Sequence, residues 1–398
     1  MKTIRIPLAG SITNRNPNAA VADTKDQQFI NCFPEIVDNQ FTGKKSLWLN
    51  KRQGCTTTAS VQAAATGSYG AVVWTANSAA VAPAIFSFVK TASTSTMFFN
   101  SAGTQIGGDL AITNNCLSVE ETDVSGTGNL TAMMTDSVTN LVELWFFAES
   151  GTWTQVTSAP MTTSTTPVCP AHGHMDGYAF VMLENARLHN SALNTVSSWV
   201  AADYITANSF ADNGVGCARY RNLVVGFGDL SAEFFYNAGN ATGSILNRIE
   251  NATLRIGAIR NTIGRGTAIR TIGNTVYWIG VNADTGAKGI YRLNGMQAEK
   301  VSNATSDKMI SNGVIRSILG SFNLLGITHI AFGAGGTTAV NFCPDTGFWW
   351  YLTTGGSLNI TAVLAAADTN SYSLSYFNTV SNPQVYRFYP NSPVWQDN

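Results

Sequence analysis

Charged residues are scarce in this sequence. Of its 398 residues, 12% are Asp, Glu, Lys or Arg, which is about half the share found in an average soluble protein. The 23 basic residues nearly balance the 24 acidic ones, so the net charge is −1 and the basic excess of a tight nucleic-acid binder is missing. A surface this poor in charge is unfavourable for a free monomer. It indicates a protein covered by copies of itself or by partners.

Signals for export, membrane insertion and disulfide frameworks are also missing. The opening segment Met1–Pro7 has no apolar signal-peptide core, and no apolar run reaches the ~18 residues needed to span a bilayer. We therefore expect a protein made in a cytoplasm, without a membrane-spanning segment. The six cysteines are widely spaced, with no Cys-x-x-Cys pair, and are expected to be small buried hydrophobic residues rather than disulfide partners.

What is present is a β-strand pattern. Runs rich in Val, Ile, Phe, Tyr, Trp and Thr alternate with Gly, Asn, Asp and Pro, whereas helical periodicity rarely persists for three turns. Hairpins are predicted for Gly177–Leu183 with Arg187–Asn190, Thr275–Gly280 with Gly289–Gly295, and Val340–Cys343 with Phe348–Leu352. The sequence therefore predicts an all-β protein.

The spacing of the hairpins favours a β-propeller. Their centres recur roughly every 35–60 residues, close to the ~40–50 residues of a propeller blade. We expect about six blades in residues 56–398, preceded by an extended arm with short strands in residues 1–55. Residues 56–170, rich in Ala, Thr and Ser, are expected to be divergent blades or an inserted subdomain.

The sequence contains no complete catalytic or metal-binding motif. Cys169–His174 contains one Cys and two His but has no second ligand pair at zinc-site spacing, so a loop before the next strand is the preferred interpretation. Glu120, Glu121 and Asp123 are too close in sequence to face each other across a glycosidase cleft. No nucleophile elbow, Walker loop or His-Glu-x-x-His motif occurs. We expect no enzyme activity, no metal and no cofactor.

The most basic segment spans residues 248–270, where Glu250 is the only acid. Its arginines recur every five to seven residues, at Arg248, Arg255, Arg260, Arg265 and Arg270. Two interpretations remain open for this arginine strip: a positive surface at an interface or near DNA phosphates, or exposed side chains with no particular partner.

Three aromatic runs offer a competing function. Trp145–Phe147, Phe234–Tyr236 and Trp349–Tyr351 could stack on sugars or bases, as in a carbohydrate-binding or glycan-hydrolysing propeller. Alternating burial within strands explains them at least as well, and core packing is the preferred interpretation.

Several segments, in order, resemble one protein family. Asn31–Glu35 resembles the family's Asn-x-x-Pro-Glu opening, and Lys51–Gly54 its Lys-Arg-Pro-Gly step, with Gln53 in place of the proline. Trp199–Ala207 resembles a Trp-x-Ala-x-Asp-x-x-x-Ala segment, and Phe227–Phe235 a Phe-Gly-x-x-Ser-x-Glu-x-Phe strand.

Further matches follow at Met175–Tyr178 and at the Thr275–Gly295 hairpin, with a helix-like stretch at 307–317. The family is that of the packaged-DNA stabilisation proteins of short-tailed bacteriophages, also called tail hub or nozzle proteins. The resemblance covers much of residues 28–300.

The resemblance implies a structural virion protein without catalytic residues. It implies a propeller-based hexamer in the tail, below the head-to-tail adaptor, that helps retain packaged DNA and forms part of the ejection channel. Expected partners are further copies of the chain, the adaptor, other tail proteins such as fibres or a needle, and double-stranded DNA passing transiently through the lumen.

Overall fold

The structure is almost entirely β. The computed structural model describes residues 32–39, 44–51, 55–60, 65–74, 84–91, 96–100, 116–122, 129–135, 141–147, 153–161, 166–260, 267–324, 326–333, 338–353, 360–367, 373–379 and 384–388. Thirty strands and one helix lie in these residues, which confirms the predicted fold class.

Most strands pair antiparallel with their neighbours in sequence and form successive small sheets, here called blades 1 to 7. Blade 1 consists of β4 (Ala65–Trp74), β5 (Ala84–Thr91) and β6 (Thr96–Asn100). Blade 2 consists of β7 (Cys116–Thr122), β8 (Asn129–Thr135), β9 (Val142–Phe147) and β10 (Trp153–Gln155). Blade 3 consists of β11 (Val168–Met175), β12 (Tyr178–Leu183), β13 (Arg187–Ala192) and β14 (Thr195–Thr206).

The next three blades continue the series. Blade 4 consists of β15 (Gly214–Tyr220), β16 (Leu223–Gly228), β17 (Ala232–Asn237) and β18 (Leu246–Leu254). Blade 5 consists of β19 (Ile256–Ala258), β20 (Ile269–Ile272), β21 (Thr275–Asn282), β22 (Lys288–Asn294) and β23 (Gln297–Lys300). Blade 6 consists of β24 (Ser317–Leu324), β25 (Ile327–Gly333), β26 (Thr338–Phe342) and β27 (Trp349–Thr353).

The last blade joins the two ends of the chain. It contains β28 (Ile360–Ala367), β29 (Ser373–Thr379) and β30 (Gln384–Phe388), and its fourth strand is β3 (Cys55–Ser60). β3 pairs antiparallel with β30, placing Cys55 opposite Phe388. The described residues thus form seven blades where the sequence predicts about six, because no local pattern indicates that β3 pairs with a strand at the other end of the sequence.

The inner strands of the blades form a closed circle. Contacts run from β4 to β7, β11, β15, β20, β24 and β28, and from β28 back to β4. Blades 3 and 4 even pair in parallel through Ala171 and Gly216. Seven antiparallel sheets arranged around a ring of inner strands define a β-propeller.

The hydrophobic core lies between neighbouring blades. Phe180 and Met182 of blade 3 pack with Phe235 of blade 4 in one cluster, and Phe227 of blade 4 packs with Trp278 of blade 5 in another. Strands whose alternate residues face two adjacent blades bury both faces. This explains runs such as Val224–Phe227, in which every residue is buried.

The segment before the propeller forms a separate hairpin. β1 (Cys32–Asn39) pairs with β2 (Lys44–Lys51) in a two-stranded sheet, and β1 contacts β27 of blade 6. In the region expected to diverge, β4 to β10 build blades 1 and 2. The division into an arm of residues 1–55 and a divergent or inserted region of residues 56–170 stays a prediction.

Two local predictions need correction. The helix α1 is Ala304–Ser311, earlier than the expected 307–317, because Asn303 and Ser306 form a reciprocal capping box that starts it there. Cys169–His174 does not form a loop but lies within the inner strand β11. Its side chains pack against both neighbouring blades: Cys169 joins a core cluster with blade 4, and His172 contacts Ser118 of blade 2. The three predicted hairpins are confirmed as β12–β13, β21–β22 and β26–β27.

Candidate functional site

Arg248, the first residue of the arginine strip, lies on β18 and forms an ion pair inside blade 4. Its Nε lies 2.7 Å from Oε2 of Glu233 on β17, and Glu233 is only 1% exposed. Arg248 Nη2 also donates to the carbonyl of Thr206 at 2.6 Å, at the end of blade 3. Glu233 in turn accepts a hydrogen bond from the backbone N–H of Ser209 at 2.7 Å. This pair therefore ties blade 4 to the connection arriving from blade 3.

Arg260 connects three blades. Its Nη1 lies 2.8 Å from Oε1 of Glu184, in the β12–β13 turn of blade 3. Its Nε lies 2.9 Å from Oδ1 of Asp229, in the β16–β17 turn of blade 4. The Nη2 group donates to the carbonyl of Gly214 at 3.2 Å. Arg260 follows β19, so one guanidinium from blade 5 uses its planar set of donors on two other blades.

The remaining described members of the strip also contact neighbouring blades. Arg255 pairs with Asp284 at 2.7 Å, and its guanidinium lies 4.7 Å from the ring centre of Phe210. Both partners of this ion pair are well exposed, at 48% and 60%. Arg270 donates to the carbonyl of Leu319 on β24 at 3.1 Å. Arg265 lies outside the described residues.

The structure therefore spreads the strip over several blade junctions instead of gathering it into one patch. Arg248 and Arg260 are mostly buried and engaged with carboxylates, while Arg255 keeps about half of its surface in solvent. Sequence reasoning missed the carboxylates Glu184, Asp229 and Glu233, since nothing in the local pattern indicates which distant arginine an acid will meet.

The aromatic runs lie largely in the core. Phe147, Phe234 and Trp350 are at most 1% exposed, whereas Tyr236 is 41% exposed at the end of β17. The preferred interpretation as core packing agrees with this burial, and a continuous stacking surface is not formed by these three runs.

Three of the four cysteines whose side chains are described are buried, as expected, and Cys32 is partly exposed. Cys32, Cys169, Cys217 and Cys343 are free thiols, the last three of them buried. Burial raises the pKa of the Cys217 thiol well above its ordinary value, which disfavours the reactive thiolate. Within the described ranges, no group of three or more His, Cys, Asp or Glu is arranged to hold a metal ion. No helix there is long and apolar enough to cross a membrane.

Close backbone contacts at the inner ring complete the geometry. A side-chain carbon added at Gly216 would lie 2.7 Å from Cβ of Ala171 and 3.1 Å from Cδ1 of Ile269. These residues belong to the inner strands of blades 3, 4 and 5. Only glycine permits this approach of three inner strands.

The ring of blades and the arginine contacts between them define a structural β-propeller. The chain belongs to the phage stabilisation family, described as bacteriophage P22 Gp10, beta-propeller, whose model matches residues 18–314. It is therefore a bacteriophage protein of a structural family, and this result confirms the family resemblance found in the sequence. A search of curated proteins finds no match.

Several solved structures are similar to this chain at low identity. YCF48 from Cyanidioschyzon merolae is 10% identical, with a TM-score of 0.48 over 85% of this chain and 100% of that chain. The BBS1N protein, solved in complex with ARL6DN, is 8% identical, with a TM-score of 0.48 over 86% and 98%. The computationally designed Ika8 protein is 11% identical, with a TM-score of 0.44 over 84% and 99%.

Proposed function

We propose that this chain is the ring-forming tail hub, or nozzle, subunit of a phage. It attaches below the portal and adaptor, helps to retain packaged DNA, and forms the channel through which DNA is ejected. The observation that carries the proposal is membership of the phage stabilisation family across residues 18–314. The near-neutral, charge-poor composition supports it, because DNA must slide past a conduit without being held there.

The narrow inner ring supports a channel made by several copies. Seven strands at the ~10 Å spacing of packed sheets enclose a circle about 22 Å across between backbones, and side chains occupy part of it. The close approach at Ala171 and Gly216 narrows it further. A DNA duplex with its hydration does not fit such an opening. The conduit would therefore lie between subunits, as in a closed ring with repeated head-to-tail interfaces, and we propose a hexamer.

Within this proposal Arg255 is the member of the arginine strip best placed to meet a neighbouring copy or passing DNA. Nearly half of its side chain is exposed, and its partner Asp284 is more exposed still. An exposed pair of this kind costs little to break and can exchange partners. The adaptor, fibre or needle proteins are proposed as the other neighbours.

The test is assembly. The purified chain should form a ring whose mass by light scattering is a multiple of the 42.4 kDa protomer, and electron microscopy with portal and adaptor should show that ring at the end of the adaptor. A chain that stays monomeric at high concentration and never joins a portal–adaptor complex would refute the proposal. The matched variants Arg255→Glu and Lys288→Glu, both exposed on blade 5, separate a specific role of Arg255 from a general effect of charge.

A further inference from the structure

Two buried histidines lie at the seam between blades 2 and 3. His172 and His174 are two residues apart on β11, so both side chains point to the same face of the strand. Their ring centres are 5.3 Å apart in an edge-on arrangement, and they are 3% and 7% exposed. Blade 2 meets them through Ser118 of β7 and Thr131 of β8.

A chain of hydrogen bonds crosses the seam through these groups. Thr131 Oγ1 lies 2.9 Å from Nε2 of His172 and 3.1 Å from Nε2 of His174. Ser118 Oγ lies 3.2 Å from Nδ1 of His172 and donates to the carbonyl of Pro170 at 3.0 Å. One neutral ring can donate to Thr131 while the Thr131 hydroxyl donates to the other ring. With neutral rings, His172 Nδ1 can donate to Ser118, Thr131 can donate to His172 Nε2, and His174 Nε2 can donate to Thr131.

Compensating charge at the seam is limited. From β7, Oε2 of Glu120 lies 3.8 Å from Nδ1 of His174 and is partly exposed. From β15, the cation Arg219 acts on His174, and β8 contributes the uncharged Thr131. Burial lowers the pKa of both histidines; for His174 the neighbouring His172 and Arg219 lower it further. Two imidazolium ions here would share one carboxylate and face one guanidinium.

We propose that the seam between blades 2 and 3 is an acid-sensitive latch, closed while both imidazoles are neutral and opened by the uptake of two protons. Opening separates β7 and β8 from β11 and lets water reach the rings, which is the environment in which a histidine holds a proton readily. The latch goes beyond the proposed tail function and does not depend on it.

The expected size of the effect follows from the number of protons. For each histidine that is neutral when closed and has an ordinary pKa of about 6.5 when open, the opening equilibrium grows about tenfold per pH unit below that value. Two such histidines give growth of about 100-fold per unit. One such histidine gives growth of about tenfold per pH unit. Without either histidine, the cluster adds no pH dependence to the opening equilibrium.

Hydrogen exchange of the intact chain measures this directly. Mass spectrometry between pH 7 and pH 5, corrected for the intrinsic exchange rate, should show the opening of the seam peptides (116–122 and 168–175) increase about 600-fold over the two pH units, with the slope steepest below pH 6.5, while blade 4 peptides change far less. His174→Gln should reduce this increase to about 25-fold, and H172Q/H174Q should abolish it. His329→Gln, in blade 6, is the matched control and should leave the seam slope unchanged.

Three results would overturn the latch: a seam slope no steeper than that of blade 4, a slope that persists in H172Q/H174Q, or a slope lowered equally by His329→Gln. If H172Q/H174Q does not fold, the single variant His174→Gln decides the question, since an unchanged wild-type slope in that variant contradicts a two-proton latch.

Discussion

Replacing Arg248 with methionine should destabilise the protein strongly, because it strands a buried carboxylate. Glu233 is 1% exposed and Arg248 is 24% exposed. Removing one partner of a buried ion pair costs ~3–5 kcal/mol, and the partial exposure of Arg248 places the expectation at the lower end, about 3 kcal/mol. Methionine keeps most of the aliphatic packing, so the loss reports mainly on the uncompensated charge of Glu233.

Arg255 provides the matched control. Its pair with Asp284 has the same 2.7 Å separation but is 48% and 60% exposed. Solvent screens such a pair, and Arg255→Met should cost less than about 1 kcal/mol. The two ion pairs share an Nε-to-carboxylate distance of 2.7 Å and differ mainly in burial, while Arg248 also loses its hydrogen bond to Thr206 and Arg255 its contact with Phe210.

The assay is urea unfolding at neutral pH, followed by tryptophan fluorescence and repeated by far-ultraviolet circular dichroism. Adding Glu233→Gln to Arg248→Met should restore about 1–2 kcal/mol, since an amide is far less costly to bury than a carboxylate. Equal losses for Arg248→Met and Arg255→Met, or no recovery in the double variant, would refute the reasoning.

Three further expectations concern other parts of the propeller. Gly257→Ala should lower the free energy of unfolding in urea by about 3 kcal/mol or more, because the added carbon would lie 2.2 Å from the backbone of Asp229. The control Gly226→Ala should lower it by less than ~1 kcal/mol, because the nearest atom there is an aromatic carbon at 3.4 Å. Similar losses for both variants would contradict the steric argument. Asn303→Ala removes the cap of α1 and should lower the free energy of unfolding by about 1 kcal/mol, with no loss meaning that the cap contributes nothing. Burial lowers the pKa of His329 from 6.5 to about 3, so the unfolded chain binds the proton more readily than the folded chain. The stability that neutral His329 contributes is therefore complete above pH 6.5. It is lost at about 1.4 kcal/mol per pH unit as the pH falls towards 3. His329→Gln should flatten the pH dependence of global unfolding by one proton, and an unchanged slope would contradict this assignment.

Local patterns in the sequence predicted the strands and their pairing within blades. The β21–β22 hairpin is an example, since a short run of β-branched and aromatic residues, Val276–Ile279, and the Asp284–Gly286 turn specify both strands and their direction. Each such signal lies within about ten residues, so it survives without tertiary information. The ordered motifs also indicated the family that the comparison confirms.

The residue-level roles of the arginines did not follow from such patterns. Their spacing suggested one strip, yet Arg260 meets Glu184 and Asp229, which precede it in two other blades. The importance of Gly216 was likewise invisible, because it comes from the approach of Ala171 and Ile269 on other inner strands.

The sequence by itself determined an all-β chain of repeated hairpins, poor in charge and belonging to a phage structural family. Only the tertiary structure decided that the described strands form seven blades and that β3 completes the last of them by pairing with β30. The physical reason is that a hairpin is encoded by neighbouring residues, whereas ring closure, buried ion pairs and the histidine seam depend on which distant surfaces the packed sheets bring together.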